Sequence, residues 1–223
     1  MAAIISTIVS GVVTILAFAL GVKFFFGDKH SAMYFRFITC AIGCYAFADT
    51  FWSTYFFLNK AIPTGFSITE ISYFGAFLFL FTANKGQFDS LVDDGSPKFR
   101  KYRIISLVAP IVLITMIIVY FIAGIRTEPV ITMAIENFCF LPMVAASYYN
   151  MKHLIWPNSD YGFIKALKPV NLCLLLVYYF EACLLLCEVK SLVIPAIVFT
   201  YILAFLMLAI VFLAKRGREQ WLI

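Results

Sequence analysis

Seven apolar runs, each near twenty residues long, constrain this chain more than any other feature of its sequence. They cover approximately residues 3–26, 33–58, 66–83, 104–123, 130–149, 169–187 and 192–214. About 20 mostly apolar residues cross the hydrocarbon core of a bilayer as one helix. Turn chemistry separates the runs: Gly27-Asp28-Lys29, Asn59 to Gly65 with Pro63, Gly124 to Pro129, and Glu188 to Ser191. Strands are a poor alternative, because the runs are too long and do not alternate as barrel strands do. Composition agrees: 63% hydrophobic, 13% charged, mean hydropathy +0.96. A soluble domain is about half apolar and about a quarter charged. The expected fold is all-α, an integral membrane bundle of seven transmembrane helices in a single domain over residues 1–223. Met1 to Leu20 carries no charged side chain and lacks the basic start of a secretory signal, so it is expected to stay as the first helix.

The basic residues orient the bundle. Lys23, Lys29, Arg36, Lys85, Lys98, Arg100, Lys101, Arg103, Lys152, Lys165, Lys168, Lys215, Arg216 and Arg218 fall on one side, and only Lys60, Arg126 and Lys190 on the other. Fourteen against three, under the positive-inside rule, puts the N-terminus outside and the C-terminus in the cytoplasm of a cell (inner or plasma) membrane. The net charge of +5 is therefore expected to meet anionic lipid, with no nucleic-acid partner. Two cytoplasmic stretches are polar. Asn84 to Arg103 is expected to be a solvated loop with a lipid-facing basic end. Asn150 to Ala166, with Trp156 and Tyr161, has an interfacial composition. His30 and His153 both fall in cytoplasmic loops on this reading.

Cys40, Cys44, Cys139, Cys173, Cys183 and Cys187 all lie inside apolar runs without a CxxC, and behave as small hydrophobes. No metal site, cofactor or catalytic set is legible. There is no Ser/His/Asp set, HExxH, P-loop or GxSxG, and no lysine sits mid-helix in the seventh run for a retinal Schiff base. Pro110, Pro142 and Pro195 are expected to kink the fourth, fifth and seventh helices.

Two stretches resemble each other. Arg36 to Lys85 and Lys168 to Lys215 each enter on a base, place a carboxylate 13 residues later (Asp49, Glu181), pass a proline near the outer turn and end on a base. A 3+1+3 repeat follows, with units 1–85 and 130–215 and a linker helix at 104–123. Membrane proteins often carry sites at such a repeat interface.

Four carboxylates fall inside the runs: Asp49, Glu70, Glu136 and Glu181. Each would cost about 2.5–3.5 kcal/mol or more facing lipid at mid-bilayer, so they should face the bundle interior. All lie at the midplane or in the outer half. With Glu128 and Glu188 the outer side holds six acids against three bases. An outward-facing acidic pocket is expected, and such a field attracts a cation, a metal ion or protons. Tyr45 and Trp52 share a helix side with Asp49, Tyr73 with Glu70, and Tyr178 with Glu181. Tyrosines can hydrogen-bond a carboxylate, and aromatic walls can hold a cation. The candidate ligand-binding residues are therefore Asp49, Glu70, Glu181, Glu136, Tyr45, Trp52, Tyr73 and Tyr178. Interhelical hydrogen bonds that only lock the bundle account for the same residues equally well.

The segment FADTFW…GFSITEISYFGAFLFLF, within residues 36–85, resembles the multi-pass sensor modules at the N-termini of bacterial histidine kinases and diguanylate cyclases. The resemblance implies a ligand sensor with Asp49, Glu70 and Tyr73 at the matching positions. Only nine residues follow Ala214, so signal output would fall to a separate partner protein. A second resemblance is to the lysoplasmalogenase-like membrane proteins, which implies a lipid hydrolase. There Asp49 and Tyr73 match, and Glu70 stands where that group has a histidine. Three functions thus stand open: a receptor for a small, cationic ligand, a secondary transporter on the 3+1+3 repeat, and an intramembrane hydrolase.

Overall fold

The computed structural model describes residues 2–27, 32–59, 67–89, 93–157 and 162–221, and among these it contains helices and no strand. The helices are α1 (Ala2–Phe25), α2 (Met33–Asn59), α3 (Ile68–Thr82), α4 (Arg100–Ser106), α5 (Val108–Gly124), α6 (Val130–Cys139), α7 (Leu141–Ile155), α8 (Gly162–Val189) and α9 (Val193–Trp221). A π-helical segment, Ala83–Asp89, prolongs α3, and a 3-10 turn, Pro97–Phe99, leads into α4. Lys29, His30, Lys60, Pro63 and Tyr161 lie outside the described residues.

Proline explains the two interruptions that divide the predicted runs. The helix over 100–124 breaks at Leu107 and that over 130–155 at Phe140. Each break lies two or three residues ahead of Pro110 or Pro142, where the missing N–H and the ring's clash with the preceding turn disrupt the ladder. Pro195 makes no break, because it sits in the first turn of α9, where its missing N–H has no intrahelical partner to lose. Pro169, in contrast, lies inside α8, which begins seven residues before the predicted sixth helix.

The helices close into a ring in the order α1, α2, α3, α7, α8 and α9, with α9 returning to α1; α5 lies against α7 and α8, and α6 bridges α3 and α5. Small residues bring α1 and α2 together. A Cβ on Gly21 would lie 2.9 Å from Thr39, and one on Gly43 would lie 2.7 Å from the Phe18 ring. Such close approach is how helices associate where no hydrophobic driving force separates them from lipid. The outward faces are apolar: Ile111, Ile118, Ile131 and Ile194 are exposed.

Among the described residues, five stretches are long and apolar enough to cross a bilayer: Ile5–Phe25, Pro97–Gly124, Val130–Ile155, Ile164–Val189 and Val193–Gln220. Helix α2 is long enough at 27 residues, but Asp49, Thr39, Thr50, Ser53 and three tyrosines dilute its hydropathy. The α-helical part of α3 has 15 residues, fewer than a full span. The chain is thus a helical protein with several candidate membrane-spanning helices, and its polar helices lie between apolar ones.

Candidate functional site

Alpha1 brings a polar stripe to the interior. Ser6, Ser10 and Thr14 recur every four residues and all are buried. The Ser10 hydroxyl donates to Asp49 Oδ2 at 2.9 Å, and the Thr14 hydroxyl lies 3.1 Å from the same oxygen. Gly11 allows this approach, since a Cβ there would already touch the Asp49 Cβ at 3.7 Å. Asp49 therefore enters the bundle interior with two hydroxyl partners.

Across from it, a cavity of about 30 Å³ of water-accessible volume is lined by Thr14, Tyr45, Asp49, Tyr73, Glu181, Leu184, Thr200, Leu203, Ala204 and Met207. Five helices contribute: α1, α2, α3, α8 and α9. Glu181 is 3% exposed and makes no hydrogen bond among the described residues. The Tyr45 hydroxyl is also buried without a hydrogen-bond partner among the described residues. The Tyr45 and Tyr73 rings meet edge to face, with centroids 5.1 Å apart. At about 10–15 Å³ per water, the space holds roughly two waters or one small ion.

Four of the eight sequence candidates, Asp49, Glu181, Tyr45 and Tyr73, meet in this cavity. The other four lie elsewhere. Glu70 forms a capping box: its carboxylate accepts from the Ser67 backbone N–H and hydroxyl, both at 2.6 Å, while the Ser67 hydroxyl accepts from the Thr69 N–H. Glu136 accepts from the Tyr120 hydroxyl at 2.9 Å, joining α6 to α5. Trp52 stacks on Phe56 of its own helix at 6.1 Å. Tyr178 donates to Asn150 Oδ1 at 2.9 Å.

That last bond belongs to an amide network the sequence reading missed. Asn84 and Asn150 exchange reciprocal hydrogen bonds at 3.1 and 3.3 Å, and Asn150 also donates to Asn171 at 2.7 Å. All three asparagines are fully buried. They join the start of the π-helical segment to α7 and α8.

A charged cluster closes the other end of the bundle. Lys152 is bonded to Asp89 and Asp93, each at 2.5 Å, and Arg103 grips Asp93 through two nitrogens. His153 lies 3.3 Å from Asp89. Burial by itself would raise the Asp89 carboxyl, but hydrogen bonds from His153 and Lys152 hold it below the usual carboxylate range. The Arg103 hydrogen bonds, aided by Lys152, hold Asp93 well below that range. Trp156 is 1% exposed and packs on Phe99 at 4.6 Å, with the Lys152 ammonium 5.2 Å from its ring.

This cluster corrects three expectations. The 84–103 stretch is not simply a solvated loop, because Asp93 is buried in ion pairs. Trp156 is a core residue, not an interfacial one. His153 lies in the last turn of α7 and is fully buried. The reason in each case is tertiary: the acids of one segment meet the bases of another.

Among the described residues no group of three or more His, Cys, Asp or Glu side chains could hold a metal ion, and all six cysteines are free. Comparison with protein-family models, with curated proteins and with solved structures finds no match to this chain.

Proposed function

We propose that this chain is a seven-span protein of the cell (inner or plasma) membrane, N-terminus outside, that binds a small cationic ligand in the Asp49–Glu181 cavity and acts as a receptor or sensor. One observation carries the reading: Glu181 is buried, has no hydrogen-bond partner among the described residues, and lines the same cavity as Asp49. A buried carboxylate is normally paired or hydrogen-bonded. Here the partner is supplied from outside the chain. Alpha2 and α3 count as spans on this reading because Tyr45, Asp49 and Tyr73 line the cavity and Thr39 and Ser72 are buried, while Thr50 and Thr54 are exposed.

Purified protein in detergent should be stabilised against heat by at least one cation from a series of chloride salts. Asp49→Asn with Glu181→Gln should remove that stabilisation. No cation-dependent shift, or a shift the double variant keeps, would sink the proposal. Fusing a reporter active only in the cytoplasm to the C-terminus tests the orientation, and a silent fusion would reverse it.

A secondary transporter is the second reading, favoured by one observation. The cavity draws its lining from both halves of the proposed repeat, with Asp49 from one and Glu181, the matching residue, from the other. Uptake of the stabilising cation into proteoliposomes would decide for transport. The hydrolase reading receives no such support: a lipid head group exceeds a two-water cavity, and His153 is engaged with Asp89 at the far end.

A further inference from the structure

The acidic character of the cavity continues toward one end of the bundle. Glu181, Leu184 and Glu188 stand at i, i+3 and i+7 on α8, so they share a face. Glu188 lies about 10 Å along the helix at 1.5 Å per residue and is exposed, whereas Glu181 is buried. Glu70 and Glu136 lie close enough to Glu188 to interact with it electrostatically. The Phe74–Phe138 stack, with centroids 6.1 Å apart, ties α3 to α6 beside them. Glu70 and Glu136 have donors of their own, from Ser67 and Tyr120. Glu188 and Glu181 have none among the described residues.

In the opposite direction the cavity is backed by an aromatic stack. Tyr45 packs on Phe77 at 6.0 Å and Phe77 on Tyr178 at 6.1 Å, and Tyr178 then bonds to Asn150. The Glu188–Leu184–Glu181 face of α8 thus offers the cavity an acidic approach on the side away from these rings.

Its size and chemistry narrow the occupant. The polar lining consists of hydroxyl and carboxylate oxygens, which suit hard cations. Calcium takes six to eight oxygen ligands, and magnesium keeps several of its waters, so each needs more ligands or room than a two-water space offers. Quaternary ammonium groups are larger still.

Resting on the cation-binding reading above, we propose that the cavity holds a single hard monovalent cation of the alkali-metal class, admitted along the Glu188–Leu184–Glu181 face of α8.

The test is binding of radioactive sodium to the purified full-length chain in detergent. Unlabelled sodium should compete, and choline and calcium chlorides at equal ionic strength should not. Because this competition uses the unmodified protein, it does not depend on any variant folding. Glu181→Gln should abolish binding. Glu188→Gln should raise the half-saturating sodium concentration by about three- to tenfold by weakening the attracting field, with the number of sites unchanged. Glu219→Gln, an exposed acid at the other end of α9, should leave binding as it was. Competition by choline or calcium as strong as by sodium overturns the alkali-metal assignment while leaving a cation site standing. Wild-type affinity in Glu188→Gln overturns the access route alone. If the chain binds no alkali cation but is stabilised by a cation of another class through Glu181, this inference falls and the receptor reading survives. If no cation acts through Glu181, both fall.

Discussion

Two groups of buried charges occupy this bundle, and they are built differently. At one end Asp89, Asp93, Lys152 and Arg103 bond one another in a packed cluster, with His153 and Trp156 against it. In the cavity Asp49 has only hydroxyl partners, and Glu181 has no hydrogen bond among the described residues. The first group has opposite charges in contact. The second has two carboxyl groups lining a void. Buried charges that satisfy one another hold structure, whereas a buried carboxyl group without a partner costs the fold its desolvation. The helices alone would not separate these roles, since both groups sit on long helical stretches.

The sharpest way to break this comparison is to remove Lys152. Lys152→Met leaves Asp89 and Asp93 without their shared ammonium, and breaking a buried pair costs about 3–5 kcal/mol. Thermal unfolding in detergent should show a large drop, and an unchanged midpoint would deny the cluster its structural role.

Acid should act on the same cluster. Asp89 and Asp93 have depressed folded-state values, so their stabilisation is complete above the ordinary carboxylate range of about 4 and is lost as pH falls through the folded values. Each unit of depression corresponds to about 1.4 kcal/mol. Unfolding midpoints for Asp93→Asn should start lower at neutral pH and fall less steeply between about pH 4 and 3 than those of the unmodified chain. Equal slopes would refute the assignment.

Asn150→Ala tests the amide network between the two charged regions. It strips partners from Asn84, Asn171 and Tyr178, at a cost of roughly 1–3 kcal/mol. Unfolding in a denaturant series would measure it.

In the cavity the expected sign changes. Glu181→Gln should leave stability within about 0.5 kcal/mol of the unmodified chain, or raise it, when no cation is added. A loss comparable to that of Lys152→Met would mean Glu181 is a structural partner after all. Trp52→Phe should do least, because the ring stacks on Phe56 outside the cavity lining. Neither the melting point nor cation stabilisation should move.

The legible part of this molecule was what is local along the chain. The helical runs follow from apolar length, and Pro110 and Pro142 forecast where two of them break. Asp49, Glu181, Tyr45 and Tyr73 could be nominated because a carboxylate in an apolar run must face inward. Two signals were present but unread. Ser67-Ile68-Thr69-Glu70 is a capping-box pattern, which accounts for Glu70 as a helix start. Ser6, Ser10 and Thr14 repeat every four residues on an otherwise apolar helix, and the last two supply the partners of Asp49. The rest was not local. Nothing around Lys152 indicates that two acids about 60 residues earlier will neutralise it, and nothing around Trp156 or His153 indicates burial. Those facts depend on how the 83–103 stretch folds back onto α7.

That return has a mechanical origin in Ala83–Asp89. A π-helix closes its hydrogen bonds one residue later than an α-helix, so each turn takes in extra chain. The segment works as a phase shifter: it lets α3 stay in register with the cavity above while setting Asp89 at the angle that meets Lys152 and His153 below. In an α-helix each residue turns the chain by about 100°. Deleting one residue between Lys85 and Gln87 would let the segment relax toward α geometry and rotate Asp89 off its partners. The upper half would keep its phase. The two charged regions, so different in construction, are thus coupled by the angular setting of a single helix.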